Sequence, residues 1–592
     1  MTSDQILLFS LFGLVFAFLL WGRIRYDVVA FSALLLGVVL GVVPTEAAFS
    51  GFGHPATLVV ALVLVVSAGL VRSGAVLLIT RTLVDATRGL AAHIAIMGAV
   101  GAVLSAFMNN VAALALLMPV DIATARKAGR VAGLSLMPLS FATILGGMVT
   151  LIGTPPNIII AAIREEAVGA PFAMFDFAPV GGVAAIAGLA FVALVGWRLI
   201  PSREGATVSG GGLEQFADYI AELTVPEESA LIGAPLSDVY PEAERADVAL
   251  LGVIRNGKRR FAARHLKLAA GDALVLEAQP EALDEFRTAL KLDFSDARRL
   301  EDLQADGSGV SFVEAVVPDT ARIVGRSAEA IGLAWRRRTV LMGIARQGTR
   351  ISRQVRKTEV APGDILLLLV PSEAKDEVLD WLGVLPLADR GVRVTQGAKT
   401  WAAIGIFAAA VAVAALGLVY LPVALGIVAM AYVLLRILPV AELYTHIEWP
   451  VVVLLGSMIP LGAALESSGG TELLAGALLG LTEGLPAWAV LTVLMVVTMT
   501  LSDVLNNTAT TIVAAPVGIE MARVLGASPD PFLMAVAVAA SAAFLTPIGH
   551  KNNTLILGPG GYGFGDYWRM GLPLEVLIIA VSIPTILVVW PL

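Results

Sequence analysis

Cysteine is absent from the 592 residues, which excludes disulfides, thiolate metal ligands and thiol nucleophiles. Histidine is scarce as well. The five present are scattered, without the His/Asp/Glu spacing of a metalloenzyme. Neither a phosphate-cradling loop nor a nucleophile elbow occurs, so the sequence points to no enzyme. Charge is thin: 15% of residues are charged against 57% hydrophobic, where a soluble domain carries about 25% charged residues. The net charge of −8 is spread along the chain and marks no nucleic-acid surface. No basic segment or small-residue cleavage site flanks the first apolar run, 5–21, so it reads as a permanent span and not as a signal peptide.

The charge that exists is segregated. Of 40 Lys and Arg, 24 lie between residues 204 and 395. Outside that stretch, apolar runs of spanning length follow one another at 5–21, 27–43, 55–73, 92–125, 131–161 and 174–198, then at 400–418, 422–438, 450–468, 488–520, 531–557 and 571–590.

The two series resemble each other in their landmarks. Pro44 and Pro55 pair with Pro439 and Pro450, and Ser73-Gly74 with Ser468-Gly469. Asn109-Asn110 and Pro119 pair with Asn506-Asn507 and Pro516, Thr154-Pro155 with Thr546-Pro547, and Asp176 with Asp566. Each half then reads as five spans and one re-entrant hairpin, an odd count that inverts one half relative to the other. The positive-inside rule orients them. With the central insert in the cytoplasm, Arg23, Arg25, Arg72, Arg81, Arg88, Arg126, Lys127, Arg130, Arg198, Arg203, Arg436 and Arg569 fall inside, and only Arg164 and Arg523 outside. The expected fold is a polytopic α-helical membrane protein of two inverted repeats, 1–204 and 396–592, in the cell (inner) membrane.

The insert alternates short strands and helices and also repeats internally. Leu231-Ile232-Gly233 matches Ile323-Val324-Gly325, Leu251-Gly252-Val253 matches Met342-Gly343-Ile344, and Gly271-Asp272 matches Gly363-Asp364, each ahead of an apolar run. This pattern resembles two tandem TrkA C-terminal (RCK-C) domains, 205–297 and 298–395. The resemblance implies a cytosolic module, often dimerising, that senses a small ligand.

Asn-Asn in the middle of an apolar stretch is costly in hydrocarbon and must face protein or a water-filled cavity. A hairpin tip at mid-membrane does this. The helix starting after the tip offers free N–H groups to an anion, while tip carbonyls and Asn oxygens suit Na⁺. Gly153-Thr154-Pro155-Pro156-Asn157 breaks the next span in the same way, because proline leaves upstream carbonyls free. Lys551, inside the corresponding broken span of the second half, reads either as a fixed cation beside the anion, with Asp503 as its candidate partner, or as a snorkelling side chain.

Asn109-Asn110-Val111 and Asn506-Asn507-Thr508 stand where the divalent anion/sodium symporters carry Ser-Asn-Thr, and the segments at 153–157 and 545–549 resemble that family's broken helices. The resemblance covers both membrane halves, and members with two central TrkA C-terminal domains exist. It implies a homodimer with elevator-type alternating access that imports a dicarboxylate, sulfate or sulfonate with Na⁺ and has no cofactor. Carried over, Asn110, Asn507 and Thr508 contact the anion with Lys551 beside them. Asn109, Gly153, Thr154, Asn157, Asn506, Thr546 and Asn553 line the Na⁺ sites. Two departures, Asn109 and Asn506 for Ser and Val111 for Thr, point away from citrate-type binding and towards a smaller anion. A Na⁺/H⁺ or K⁺/H⁺ antiporter and an arsenite-type extruder stay open as alternatives. A ligand-gated channel is disfavoured by the lack of a carbonyl-ring filter sequence.

Overall fold

The computed structural model describes residues 2–21, 24–74, 88–201, 220–246, 248–255, 258–260, 266–277, 280–294, 310–319, 321–337, 339–346, 349–351, 355–387, 397–440, 443–481, 484–505 and 507–592. Asn506 of the second tip and the orientation markers Arg23, Arg81 and Arg203 lie outside the described residues. The chain divides into a helical unit, Met1–Ser202 with Arg390–Ile556 and Tyr562–Leu592, and an α/β unit, Arg203–Asp389 with Leu557–Gly561.

In the helical unit, six helices among the described residues are long and apolar enough to cross a bilayer: Thr45–Arg72, Leu90–Phe107, Trp449–Ser467, Ala487–Val504, Asn507–Leu525 and Phe564–Val589. Shorter apolar helices complete the set, among them Tyr26–Val39, Gly133–Gly147, Ala178–Leu194, Leu421–Leu434 and Pro529–Ser541. The chain is therefore multi-pass.

Where the helices stop follows from local chemistry. Leu90–Phe107 ends at Met108, whose backbone is extended, and Asn109 caps Asn110–Lys127 by accepting from Val111 N at 2.8 Å. Gly133–Gly147 is followed by a non-helical stretch to Thr154. Thr154 is held extended before Pro155, and the prolines at the first positions of Pro155–Val168 lack only N–H groups that a helix start leaves free. In the second half Ala487–Val504 and Asn507–Leu525 flank the other tip, and Pro529–Ser541 and Lys551–Leu557 flank the other break.

Small residues let these helices touch backbone to backbone, as membrane interfaces favour. A Cβ on Gly146 would sit 2.2 Å from the carbonyl oxygen of Ala102, and one on Gly98 would sit 3.2 Å from the Ala142 Cβ. The final helix of each half packs a glycine on a break carbonyl. A Cβ on Gly181 would lie 2.2 Å from Met148 O, and one on Gly571 would lie 2.3 Å from Phe544 O.

The α/β unit contains two five-stranded antiparallel sheets with the same strand order. The first runs Lys258–Arg260, Ala249–Arg255, Ala273–Glu277, Ile220–Thr224, Asp293–Phe294. The second runs Thr349–Ile351, Val340–Arg346, Ile365–Pro371, Val310–Val316, Leu385–Pro386. Both slip register at one place, between Leu250 and Gly252 and between Leu341 and Gly343. The Gly-Asp turns also agree. Arg255 Nε donates to Asp272 at 2.7 Å and Arg346 Nε to Asp364 at 2.8 Å, and each Asp accepts the N–H three residues back. Each sheet covers its own apolar core, and a third cluster, with Val275 against Val340, Met342, Leu367 and Leu369, joins the two.

The close approach at Gly146 is testable. Gly146→Ala puts a methyl against backbone that cannot rotate away, so overpacking should destabilise by about 1–3 kcal/mol. In detergent this reads as a clear drop in apparent melting temperature. A variant melting with the wild type would show that the two helices are further apart.

Candidate functional site

The tip of the first half meets the break of the second. Asn110 is buried, and its Oδ1 accepts from Ser105 Oγ at 2.6 Å. Its Nδ2 faces His550 Nε2 at 3.4 Å, and its carbonyl accepts from Asn552 Nδ2 at 3.2 Å. His550 Nδ1 accepts from Asn552 N at 3.1 Å, so in the neutral ring Nε2 carries the proton and is the atom turned to Asn110. Asn552 also donates to Thr143 Oγ1 at 2.8 Å, and Asn553 Oδ1 accepts from Ser140 Oγ at 2.9 Å. Residues some 440 positions apart thus share one buried polar cluster.

Both breaks are held by the same bonds. Thr150 Oγ1 donates to the carbonyl of Ala106, and Thr546 Oγ1 donates to the carbonyl of Asp503 at 2.5 Å. Asn157 Nδ2 donates to Thr150 O at 2.9 Å, and Asn553 Nδ2 to Thr546 O at 3.1 Å. Asp176 and Asp566 each accept the N–H three residues earlier, at 2.8 and 2.7 Å. These bonds revise the expected pairing of Thr154-Pro155 with Thr546-Pro547. Thr546 corresponds to Thr150, and Asn553 to Asn157. Gly153-Thr154-Pro155 therefore stands opposite Gly549-His550-Lys551. A Cβ on Gly153 would lie 2.3 Å from Gly147 O, so this turn needs glycine.

At the second tip, Asn507 Oδ1 accepts from Thr508 N at 2.8 Å and from Thr508 Oγ1 at 3.3 Å, and Asn507 O accepts from Thr511 Oγ1. Asn507 is half-buried and Thr508 buried. Its helix, Asn507–Leu525, packs on Pro155–Val168, the helix that follows the first break.

Three buried oxygens around the breaks have no hydrogen-bond partner: Thr154 Oγ1, Asn552 Oδ1 and Asp503 Oδ2. An oxygen buried without a donor is unfavourable by roughly 1–3 kcal/mol, and such oxygens are the ligands a hard cation seeks. Among the described residues no group of three or more His, Cys, Asp or Glu could hold a metal ion. A cation here would be bound by neutral and single-carboxylate oxygens.

Sequence reading passed over His550, Asn552 and Glu575. It also passed over the buried trio in which His93 Nε2 lies 2.7 Å from Asp121 Oδ1 and Ser135 Oγ donates to Asp121 Oδ2 at 2.6 Å. The available signal was a lone polar or acidic residue inside an otherwise apolar span.

Lys551 requires a correction. Its ammonium lies 2.7 Å from Glu448 Oε2 and 3.3 Å from the Tyr26 hydroxyl. The expected partner, Asp503, instead accepts from Leu545 N at 2.8 Å. Lys551 begins its helix on the side turned to Tyr26–Val39 and Trp449–Ser467, so it reaches those helices and not the Asn cluster. Both charges are about a quarter exposed, which makes the pair worth about 1 kcal/mol or somewhat more. Lys551→Gln and Glu448→Gln should each lower the apparent melting temperature, and the double variant should recover much of the loss. Strictly additive losses would show that the pair is not coupled.

The citrate transporter family profile matches residues 16–522 and 486–592. A transporter of Synechocystis sp., sll0640, is 31% identical over 96% of this chain and 94% of its own length. The transporter YfbS of Escherichia coli is 28% identical over the whole of both chains. Sodium/sulfate cotransporter 1 of Chlamydomonas reinhardtii is 25% identical over 55% of this chain and 39% of its own. With a multi-pass helical unit broken at two polar clusters, the chain belongs to the citrate transporter family of membrane transporters.

Proposed function

We propose that this transporter imports a small divalent or sulfur-containing anion (sulfate, a sulfonate or a dicarboxylate) together with Na⁺. The observation that carries this reading is the buried cluster of Asn110, His550 and Asn552, in which neutral donors meet at two chain breaks and unpartnered oxygens stand beside them. Amide donors and helix starts suit an anion that must be released again, whereas a fixed ammonium would hold it. Asn110, Asn507 and Thr508 supply the anion contacts. Lys551, committed to Glu448, is left out of them. Na⁺ is placed among Asn109, Gly153, Thr154 and Asn157 on one side and Asn506, Thr546 and Asn553 on the other. The relative named as a sodium/sulfate cotransporter supports both the ion and the anion class.

The halves are read as inverted repeats that move elevator-fashion within a homodimer in the cell membrane. The recurrence of Thr150/Thr546, Asn157/Asn553 and Asp176/Asp566 supports this. The α/β unit is read as a cytoplasmic pair of RCK-C-type domains that senses a small ligand. Its duplicated sheets support that reading.

Purified protein in liposomes tests the proposal. An inward Na⁺ gradient should accelerate uptake of labelled sulfate, a sulfonate or succinate, and replacing Na⁺ by K⁺ should abolish the gain. Asn110→Ala removes a side chain bonded to Ser105 and facing His550, and should weaken the apparent affinity about tenfold or more. Uptake indifferent to Na⁺, or unaltered in the variant, would defeat the reading. Removing residues 205–395 and joining the halves with a flexible linker should leave anion binding intact and change only its regulation. A folded deletion protein that binds no anion would count against a regulatory role.

A further inference from the structure

His550 does in the second break what an ordinary capping residue does at a helix start. Its Nδ1 accepts from Asn552 N at 3.1 Å and its carbonyl from Asn553 N at 2.9 Å, so the first N–H groups of Lys551–Leu557 are satisfied. Asn109 caps Asn110–Lys127 in the same manner, through Val111 N. Asparagine, aspartate and serine are the usual caps, and each spends its short side chain on that bond. Imidazole has a second edge. With Nδ1 accepting, the ring carries its proton on Nε2, which leaves a further N–H donor on the far side of the ring.

That N–H meets another donor. The Asn110 side-chain nitrogen faces it at 3.4 Å. The distances fix which way the Asn110 amide is turned. Ser105 Oγ lies 2.6 Å from one amide atom, the length of an O–H···O bond, whereas 3.4 Å is too long for an N–H···O bond to His550. Asn110 therefore gives its oxygen to Ser105 and turns its amide N–H groups to His550. Among the described residues neither nitrogen has an acceptor. Asn110 and His550 are 5% and 7% exposed, which keeps both donors from bulk water. Gly147 makes room for the amide, since a Cβ there would lie 2.4 Å from its oxygen and 2.9 Å from its nitrogen.

Elsewhere in the chain the same edge of an imidazole meets an oxygen. His54 caps Pro55–Arg72 by accepting from Ala56 N at 3.3 Å, and its Nε2 lies 3.1 Å from a carboxylate oxygen of Glu166. His93 Nε2 lies 2.7 Å from Asp121 Oδ1. His550 repeats the arrangement of His54 without the carboxylate. The nearby acids are turned to other donors, Asp503 to Leu545 N, Glu575 to Phe544 N and Glu448 to Lys551. Nor does the fold demand an imidazole here. The first break starts its helix at Thr154-Pro155 with no side-chain cap at all.

We propose that His550 is a ligand of the transported anion: its Nε2–H and the Asn110 side-chain N–H together hold one oxygen of a carboxylate, sulfate or sulfonate group. The proposal rests on the anion reading above and adds to Asn110 a second donor from the other half of the chain. An oxygen placed there accepts both N–H groups and ends the contact between two donors. Two N–H dipoles repel Na⁺, so the niche also separates the anion from its coupling ion. Because the oxygen is bonded to both halves, a bound anion ties the first tip to the second break.

The test is magic-angle-spinning NMR of the full-length protein in liposomes, with histidine isotope-labelled at its ring nitrogens and with sulfate, methanesulfonate and succinate as probes in the presence of Na⁺. The His550 signals are those missing from His550→Gln or His550→Phe. In the wild type they should show a protonated Nε2 and a bare Nδ1. The probe that binds should shift the Nε2 signal of His550 and leave that of His54 in place. Binding measured alongside should be about tenfold or more weaker in His550→Phe, and His550→Gln, which restores an N–H donor, should recover part of that loss. A probe that binds the wild type without moving the His550 Nε2 signal, or that binds His550→Phe as tightly, overturns the proposal and leaves the anion reading standing. If none of the three probes binds the wild type, the anion reading itself falls and the proposal falls with it.

Discussion

Backbone without a helix inside hydrocarbon must find its hydrogen bonds from side chains, and this transporter depends on how that is done at two places. An unsatisfied peptide group at that depth is unfavourable by several kcal/mol. At each break one threonine hydroxyl reaches back to a carbonyl at the end of a hairpin arm, and one asparagine amide reaches back to that threonine's own carbonyl. The residues between are then free of secondary structure without being free to move. Tip and break are joined by the same threonine, so a shift of either is felt by the other.

The glycines belong to the same device. Gly181 and Gly571 bring the last helix of each half onto a break carbonyl at distances that no side chain tolerates. Ala102 and Gly146 bring the first hairpin arm onto the helix that leads into the first break. Apolar burial drives little association between helices in lipid. Close backbone approach and the cross-links at Asn110, Asn552 and Asn553 do that work here, and they concentrate it where the chain is interrupted.

Much of this was legible in the sequence. The apolar runs mark the helices because a bilayer imposes their length, and the Asn pairs mark the tips because nothing else justifies two amides in a span. Asp176 and Asp566 could be paired from sequence, and they make the same bond. Thr154 and Thr546 could not be told from Thr150 and Thr546, because Thr-Pro recurs in both breaks while the bond that equates the residues reaches a hairpin carbonyl far away in sequence. Lys551 was misjudged for a related reason. Its partner Glu448 lies just ahead of another helix, and no local pattern connects them. Asp503 stood out only as a partner for Lys551 and Glu575 not at all, and only folding brings the two acids to adjacent N–H groups.

Once the halves are paired by their bonds, their differences become informative. The scaffold bonds are conserved between halves, but Thr154 stands opposite His550, Pro156 opposite Asn552, Ala106 opposite Asp503 and Ala185 opposite Glu575. Every one of these changes adds a titratable or hydrogen-bonding group to the second break. A symmetric pair of breaks would bind whatever it binds equally from both halves. Here the first break offers a lone hydroxyl, Thr154 Oγ1, and the second offers an imidazole, an amide and a carboxyl pair. The matching bonds therefore leave the two breaks with different polar groups, at a handful of positions that those bonds do not use.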